Sequence, residues 1–311
     1  MCKANTATTT SSGGGGISSM LLLSVDSYVG EKGGLPCRKK MAVTGAFFFT
    51  VLLIIEKIMQ AYFDSIKDSH WVLASETNRH ILARHIGIDS LSCFVVAYLG
   101  YKCRHMLMPI YNTVILGKND MPPAGYDKRL FTYQPESQRI NLFFFSYQIK
   151  NLYDTIVWGD GPEFIMHHII CLFTAWGSMF PGTVHNYVPF YFGISEISTA
   201  VLCLLANFDD EHGAIGLGEA WPTGKAVLGG AFAVLFIICR VFLWSTVSYY
   251  YCRDAWNALC DTENPRMLAR KTYLQFTYVA LGLLSVLQVL WLGQIFMIAH
   301  EELVKMGYID A

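Results

Sequence analysis

Two adjacent histidines lie in Phe164-Ile-Met-His167-His168-Ile-Ile-Cys-Leu-Phe173, a run otherwise apolar enough to sit inside a membrane. Ionisable side chains at that depth are costly to place, which makes the pair a candidate functional site. Imidazole can act as nucleophile and as base near neutral pH, so nucleophilic or proton-transfer chemistry is what such a pair could do. The plainer reading is a pair of histidines that only hydrogen-bond between helices.

Other polar residues fall in patterns that bear on the choice. Tyr147, Lys150, Asn151 and Asp154 stand at i, i+3, i+4 and i+7, one stripe of a helix. On a membrane helix such a stripe must face protein or a water-filled cavity. Lys150 and Asp154 can also neutralise each other. Glu196, Thr199, Cys203 and Asn207 form a second stripe, with Ser198 beside it. Arg240 interrupts an apolar stretch near its middle and needs a carboxylate partner or a water-filled cavity; Asp154 and Glu196 are the available carboxylates. Gln288 and Gln294 are the polar breaks of the last apolar stretch. His85 and Asp89 share a helix face, more simply read as a contact near the membrane edge.

The elements that must hold these residues follow from composition. Of the 311 residues, 53% are hydrophobic and only 15% charged, and mean hydropathy is +0.35. That points to an all-α polytopic membrane protein. The net charge of -1 and the lack of a basic cluster exclude nucleic acid as a partner. Nine scattered cysteines, with no Cys-x-x-Cys, read as buried thiols acting as small hydrophobes.

About seven spans are expected by length and apolarity, near 41–63, 85–107, 140–158, 162–180, 187–208, 226–251 and 272–299. The Gly159-Asp-Gly-Pro162 turn makes the third and fourth neighbours, bringing Asp154 and His167 to similar depth. Residues 1–40, rich in Ser, Thr and Gly, read as a disordered tail. The segment 108–139 reads as a polar loop. Residues 41–74 form a first helix and linker, 75–300 the main domain and 301–311 a C-terminal tail. Lys and Arg concentrate in the tail, 108–139 and 252–271, which the positive-inside rule places in the cytoplasm.

Taken in order, Tyr153-Asp154, Met166-His167-His168, Glu196 with Ser198 and Thr199, Phe236-Ile-Ile-Cys-Arg240 and Gln288-Val-Leu-Trp291 resemble the TLC domain. That family includes ceramide synthases, translocating-chain-associating membrane proteins and proteins of lipid homeostasis. The resemblance implies a barrel of six helices open to the membrane, with a further helix outside it. It implies His167 and His168 as acyl acceptor and general base, with Asp154 orienting them. Tyr147, Asn151, Tyr153, Glu196, Ser198, Thr199, Arg240, Gln288 and Trp291 would contact substrate. Ceramide synthases carry a His-Asp and a further Asp after the His pair, whereas this chain reads Ser195-Glu196-Ile-Ser-Thr199. The form looks like the non-synthase TLC branch.

Two functions follow as expectations. One is a lipid-homeostasis protein of the endoplasmic reticulum, with the plasma membrane as alternative, that binds a membrane lipid or long-chain acyl-CoA. It would carry acyl-CoA-dependent acyltransferase chemistry and need no bound cofactor. The other is a non-catalytic adaptor or cargo receptor that uses the polar core only for packing. A di-metal hydroxylase would need several clustered His boxes, which the remaining histidines do not supply.

Overall fold

The computed structural model describes residues 38–179, 182–209 and 211–305. The expected tail therefore falls almost wholly outside the described residues, as does the end of the chain. Among the described residues there is no strand. Seven long helices carry the architecture: α1 (Arg38–Ser65), α2 (Glu76–Lys102), α3 (Pro135–Trp158), α4 (Pro162–Met179), α5 (Phe190–Ala206), α6 (Pro222–Cys260) and α7 (Lys271–Lys305). Proline opens α3, α4 and α6, where its missing N–H has no helical partner to lose. Gly159, at φ 73°, ends α3 in the left-handed conformation that lets the chain reverse into α4.

Four of the seven (α1, α2, α6 and α7) are long and apolar enough to cross a membrane. The other three are shorter or more polar, and they carry the Tyr147 stripe, the His pair and Glu196. Their polarity has a structural reason, because these side chains turn toward protein and not toward lipid. The chain is an all-α polytopic membrane protein.

Neighbour packing closes a ring in the order α2, α5, α6, α7, α4, α3 and back to α2. The helix α1 stays outside and packs along α2 and α3. Where α2 meets α5, Gly100 and Gly193 let the backbones touch. A Cβ on Gly100 would lie 2.4 Å from the Pro189 carbonyl oxygen, and one on Gly193 2.7 Å from the Gly100 Cα. Small residues at helix crossings do this in membranes generally.

Three ring helices contain a π-helical turn, over His85–Ser90, Phe190–Ile194 and Ile237–Leu243. The first holds Asp89, the second precedes Glu196 and the third holds Arg240. Such turns re-aim side chains and recur at functional sites.

The segment 108–139 is more ordered than a loop. It contains the helices Met108–Ile115 and Tyr126–Phe131, tied to the 252–271 connection at one end of the bundle. Arg129 donates to both oxygens of Asp254, at 2.5 and 2.7 Å, and Tyr187 donates to the same carboxylate at 2.5 Å. Burial disfavours the Arg129 charge, but the bonded Asp254 carboxylate outweighs it and raises its pKa above the ordinary guanidinium value. The segment's high polarity hid this in the sequence, since the ion pair joins residues 125 positions apart.

Candidate functional site

The adjacent histidines of α4 point to different places. His167 faces the interior of the ring, packed edge-on to Trp291 with ring centres 5.6 Å apart. Its Nε2 lies 3.6 Å from the Cys171 Sγ one turn along, and its buried Nδ1 has no hydrogen-bond partner. His168 is buried against α3, where its Nδ1 lies 2.6 Å from Gln148 Oε1. Successive residues on a helix diverge by about 100°, which explains the separation.

Opposite His167, α5 and α6 bring a charge pair. Arg240 Nη2 donates to Glu196 Oε1 at 2.9 Å and to Thr199 Oγ1 at 2.8 Å, and Nε donates to Ser198 Oγ at 3.3 Å. Both charged groups are buried, and the guanidinium lies 5.7 Å from the Trp244 ring centre. Of the two carboxylates that could have met Arg240, Glu196 is the partner. The other Glu196 oxygen takes the Cys93 thiol at 3.8 Å. Cys93 also reaches the Tyr147 hydroxyl at 3.4 Å, which accepts from Asn151 at 2.9 Å.

His167, Cys171, Glu196, Arg240 and Trp244 line one cavity of about 60 Å³ inside the ring. Below them the walls become aromatic and aliphatic, with Tyr187, Tyr191, Tyr251, Tyr273, Leu281 and Leu284. From Arg240 to Tyr251 the lining runs eleven residues along α6, about 16 Å at helical rise. The shape is a narrow apolar slot with a polar end. Gln288 lies on the same face of α7 as Leu284 and Trp291, is 4% exposed, and has no partner for either amide atom.

Asp154 belongs elsewhere. Its Oδ2 lies 2.5 Å from Lys150 Nζ, and Lys150 also meets Glu56 of α1 at 3.2 Å. Neither imidazole is bonded to it among the described residues, so the expected Asp154–His pairing is replaced by Gln148–His168. Lys150 sits one turn before Asp154 and claims it locally. Beside this pair, Arg84 grips Asp160 at 2.5 Å and lies 3.5 Å from Asp89. The expected face-sharing of His85 and Asp89 therefore gives no contact, because Arg84 takes the carboxylate.

Tyr153 also departs from expectation. It is 62% exposed on the outer face of α3 and contributes nothing to the interior. The lower half of the second stripe is structural, since Asn207 donates to the carbonyls of Cys203 and Leu204 in its own helix. Gln294 is exposed. Gln148, Arg84, Glu56 and Cys171 were missed as site residues. Only Glu56 left a trace, as a charge inside an apolar run; the others gain their roles from partners far away in sequence.

A groove of about 330 Å³ lies outside the ring between α1, α3 and α4, lined by Gly45, Phe49, Leu142, Phe145 and Trp176 among others. It holds no ionisable group. The family model described as the TLC domain matches residues 87–297. No curated protein and no solved structure matches the chain.

Proposed function

The chain belongs to the TLC-domain family, and from that premise we propose that its six-helix ring takes up a long acyl chain and holds the acyl carbonyl beside His167. Acyl transfer from a CoA thioester is the chemistry this reading assigns, in the endoplasmic reticulum membrane. The observation that carries it is the slot itself: apolar walls for a hydrocarbon chain, ending at an imidazole and a carboxylate-paired guanidinium. Apolar lining with a few convergent polar groups is the usual make-up of a small-molecule site.

Each polar group has a task in that reading. His167 Nε2 serves as base or acceptor at the carbonyl. Arg240, positioned by Glu196, Ser198 and Thr199, offers its remaining donors to the developing oxyanion. His168 positions the start of α4 through Gln148. The cavity, at about 60 Å³, is far below the ~300–1,000 Å³ of ligand pockets, so uptake of a chain requires the ring to widen.

Purified full-length protein in nanodiscs, given labelled palmitoyl-CoA with sphingoid-base and lysophospholipid acceptors, tests the reading. Acyl transfer is expected, falling by roughly a hundredfold or more in His167→Ala, in line with loss of a general base. No transfer, no CoA release and no displaceable acyl-CoA binding would overturn it. One observation favours a second reading, a packing core in a non-catalytic adaptor: Glu196 and Arg240 already satisfy each other. It predicts wild-type function in His167→Ala.

A further inference from the structure

We propose that Cys171 is the first acceptor of the acyl group, forming a thioester on the protein with His167 as its base. The inference rests on the acyl-binding reading above and adds a covalent step to it.

The thiol is placed for the role by its neighbours and by the face it shows. Cys171 lies one turn after His167, with Sγ 3.6 Å from Nε2. It is 5% exposed overall, and what it shows faces the slot that His167, Glu196 and Arg240 also line. Nucleophile and base within reach of one another are the arrangement that covalent acyl transfer requires. One buried polar atom beside it lacks a partner, Nδ1 of His167. An unsatisfied buried donor is destabilising unless something accepts from it. An acceptor on a bound substrate would meet that need at Nδ1 and leave Nε2 free for the thiol.

Another buried thiol near the site is in a different position. Cys93 is fully enclosed between Tyr147 and Glu196 and does not line the slot. Packing alone would account for it. Cys171 differs by facing both a base and the space that takes the chain.

The step balances without a further reactant. Sγ attacks the carbonyl carbon of the acyl-CoA thioester while Nε2 of His167 takes the thiol proton. The tetrahedral intermediate collapses, the carbon–sulfur bond to CoA breaks, and the CoA thiolate recovers the proton from the imidazolium. The products are free CoA thiol and S-acyl Cys171. An amine or hydroxyl acceptor then takes the acyl group by the reverse sequence. No oxidant or metal enters.

The test uses wild-type, Cys171→Ala and His167→Gln proteins, full length, in phosphatidylcholine nanodiscs. Each receives alkyne-tagged palmitoyl-CoA and is digested for mass-spectrometric mapping of the tag. The expected result is a hydroxylamine-labile tag on Cys171 of the wild type with equimolar CoA release. His167→Gln should slow tagging by roughly a hundredfold, as loss of a general base does. A tag on His167, or on any other residue, would overturn the proposal whatever the variants do. So would CoA release and transfer that persist at the wild-type rate in Cys171→Ala. Photo-crosslinking with a diazirine palmitoyl-CoA separates the two layers. Crosslinks to slot residues without S-acylation would overturn the thioester and leave the acyl-binding reading intact. No crosslink in any protein would overturn both.

Discussion

Arg240 meets a single carboxylate, whereas Lys150 and Arg84 share four: Glu56, Asp89, Asp154 and Asp160. Both clusters lie in the same bundle and sit at π-helical turns, though Glu56 and Asp160 of the second are half-buried. The Arg240 cluster is balanced, one cation against one carboxylate, with the hydroxyls of Ser198 and Thr199 also accepting from the guanidinium. It lines the slot. The Lys150 cluster carries two more carboxylates than cations, leaves Asp89 Oδ1 without a partner, and lines no part of the slot. A balanced pair is closed to further change in charge, so it suits holding a fixed dipole beside a reacting carbonyl. A cluster with surplus carboxylates has slack. The first arrangement reads as a site, the second as the joint that fastens α1 to the ring.

The largest effect should come from opening the closed pair. Arg240→Met leaves Glu196 charged, buried and unpaired, which should destabilise the protein by about 3–5 kcal/mol. Adding Glu196→Gln removes the stranded charge and should recover most of the loss. Thermal unfolding in detergent, read by tryptophan fluorescence, measures both. If the double variant melts no higher than the single one, Arg240 is held by more than Glu196 and the contrast between clusters fails.

How far the sequence reached differs between these two regions for a physical reason. Arg240 was legible because a charge inside an apolar stretch demands a partner, and few carboxylates are available. Glu196 was one of two. The seven helices were legible too, because apolar periodicity and the Gly159–Pro162 turn are local signals. The His pair was found, yet its split was not, since adjacent residues on a helix face apart and only tertiary packing assigns each a neighbour. Gln148 and Arg84 carry no local mark; their partners lie 20 and 76 positions away. Tyr153 was carried over from a resemblance with no test of its helical face. Three residues along, Ile156 is exposed as well, which marks that side of α3 as outward.

A smaller effect should show whether the clusters act as one. Tyr147 stands between them: its hydroxyl accepts from Asn151, beside Lys150, and from Cys93, which reaches Glu196. Tyr147→Phe removes that hydroxyl without changing the ring and should cost about 1 kcal/mol, the net worth of a typical hydrogen bond. Combined with Arg240→Met, the losses should add to within about 0.5 kcal/mol if the clusters are independent. A larger interaction energy would show a single network running from Lys150 to Arg240.

The smallest effect sharpens the contrast most. In the closed pair, Glu196→Gln strands a guanidinium and should be among the severe substitutions, at about 3 kcal/mol or more. In the surplus cluster, Asp89→Asn removes a carboxylate whose cation keeps another. Arg84 retains Asp160 at 2.5 Å, and Lys150 retains Asp154 and Glu56. Asparagine keeps the shape, presents an oxygen to Arg84 and adds an amide donor near the carboxylates that remain. The change should cost less than about 1 kcal/mol, well below the loss at Glu196, because each cation keeps a bonded carboxylate. The same pair of carboxyl-to-amide changes thus gives opposite results in one protein. Matching losses at Asp89 and Glu196 would mean that Arg84 depends on Asp89 despite the longer 3.5 Å separation. The surplus would then be apparent only, with every carboxylate needed to hold α2 against α3.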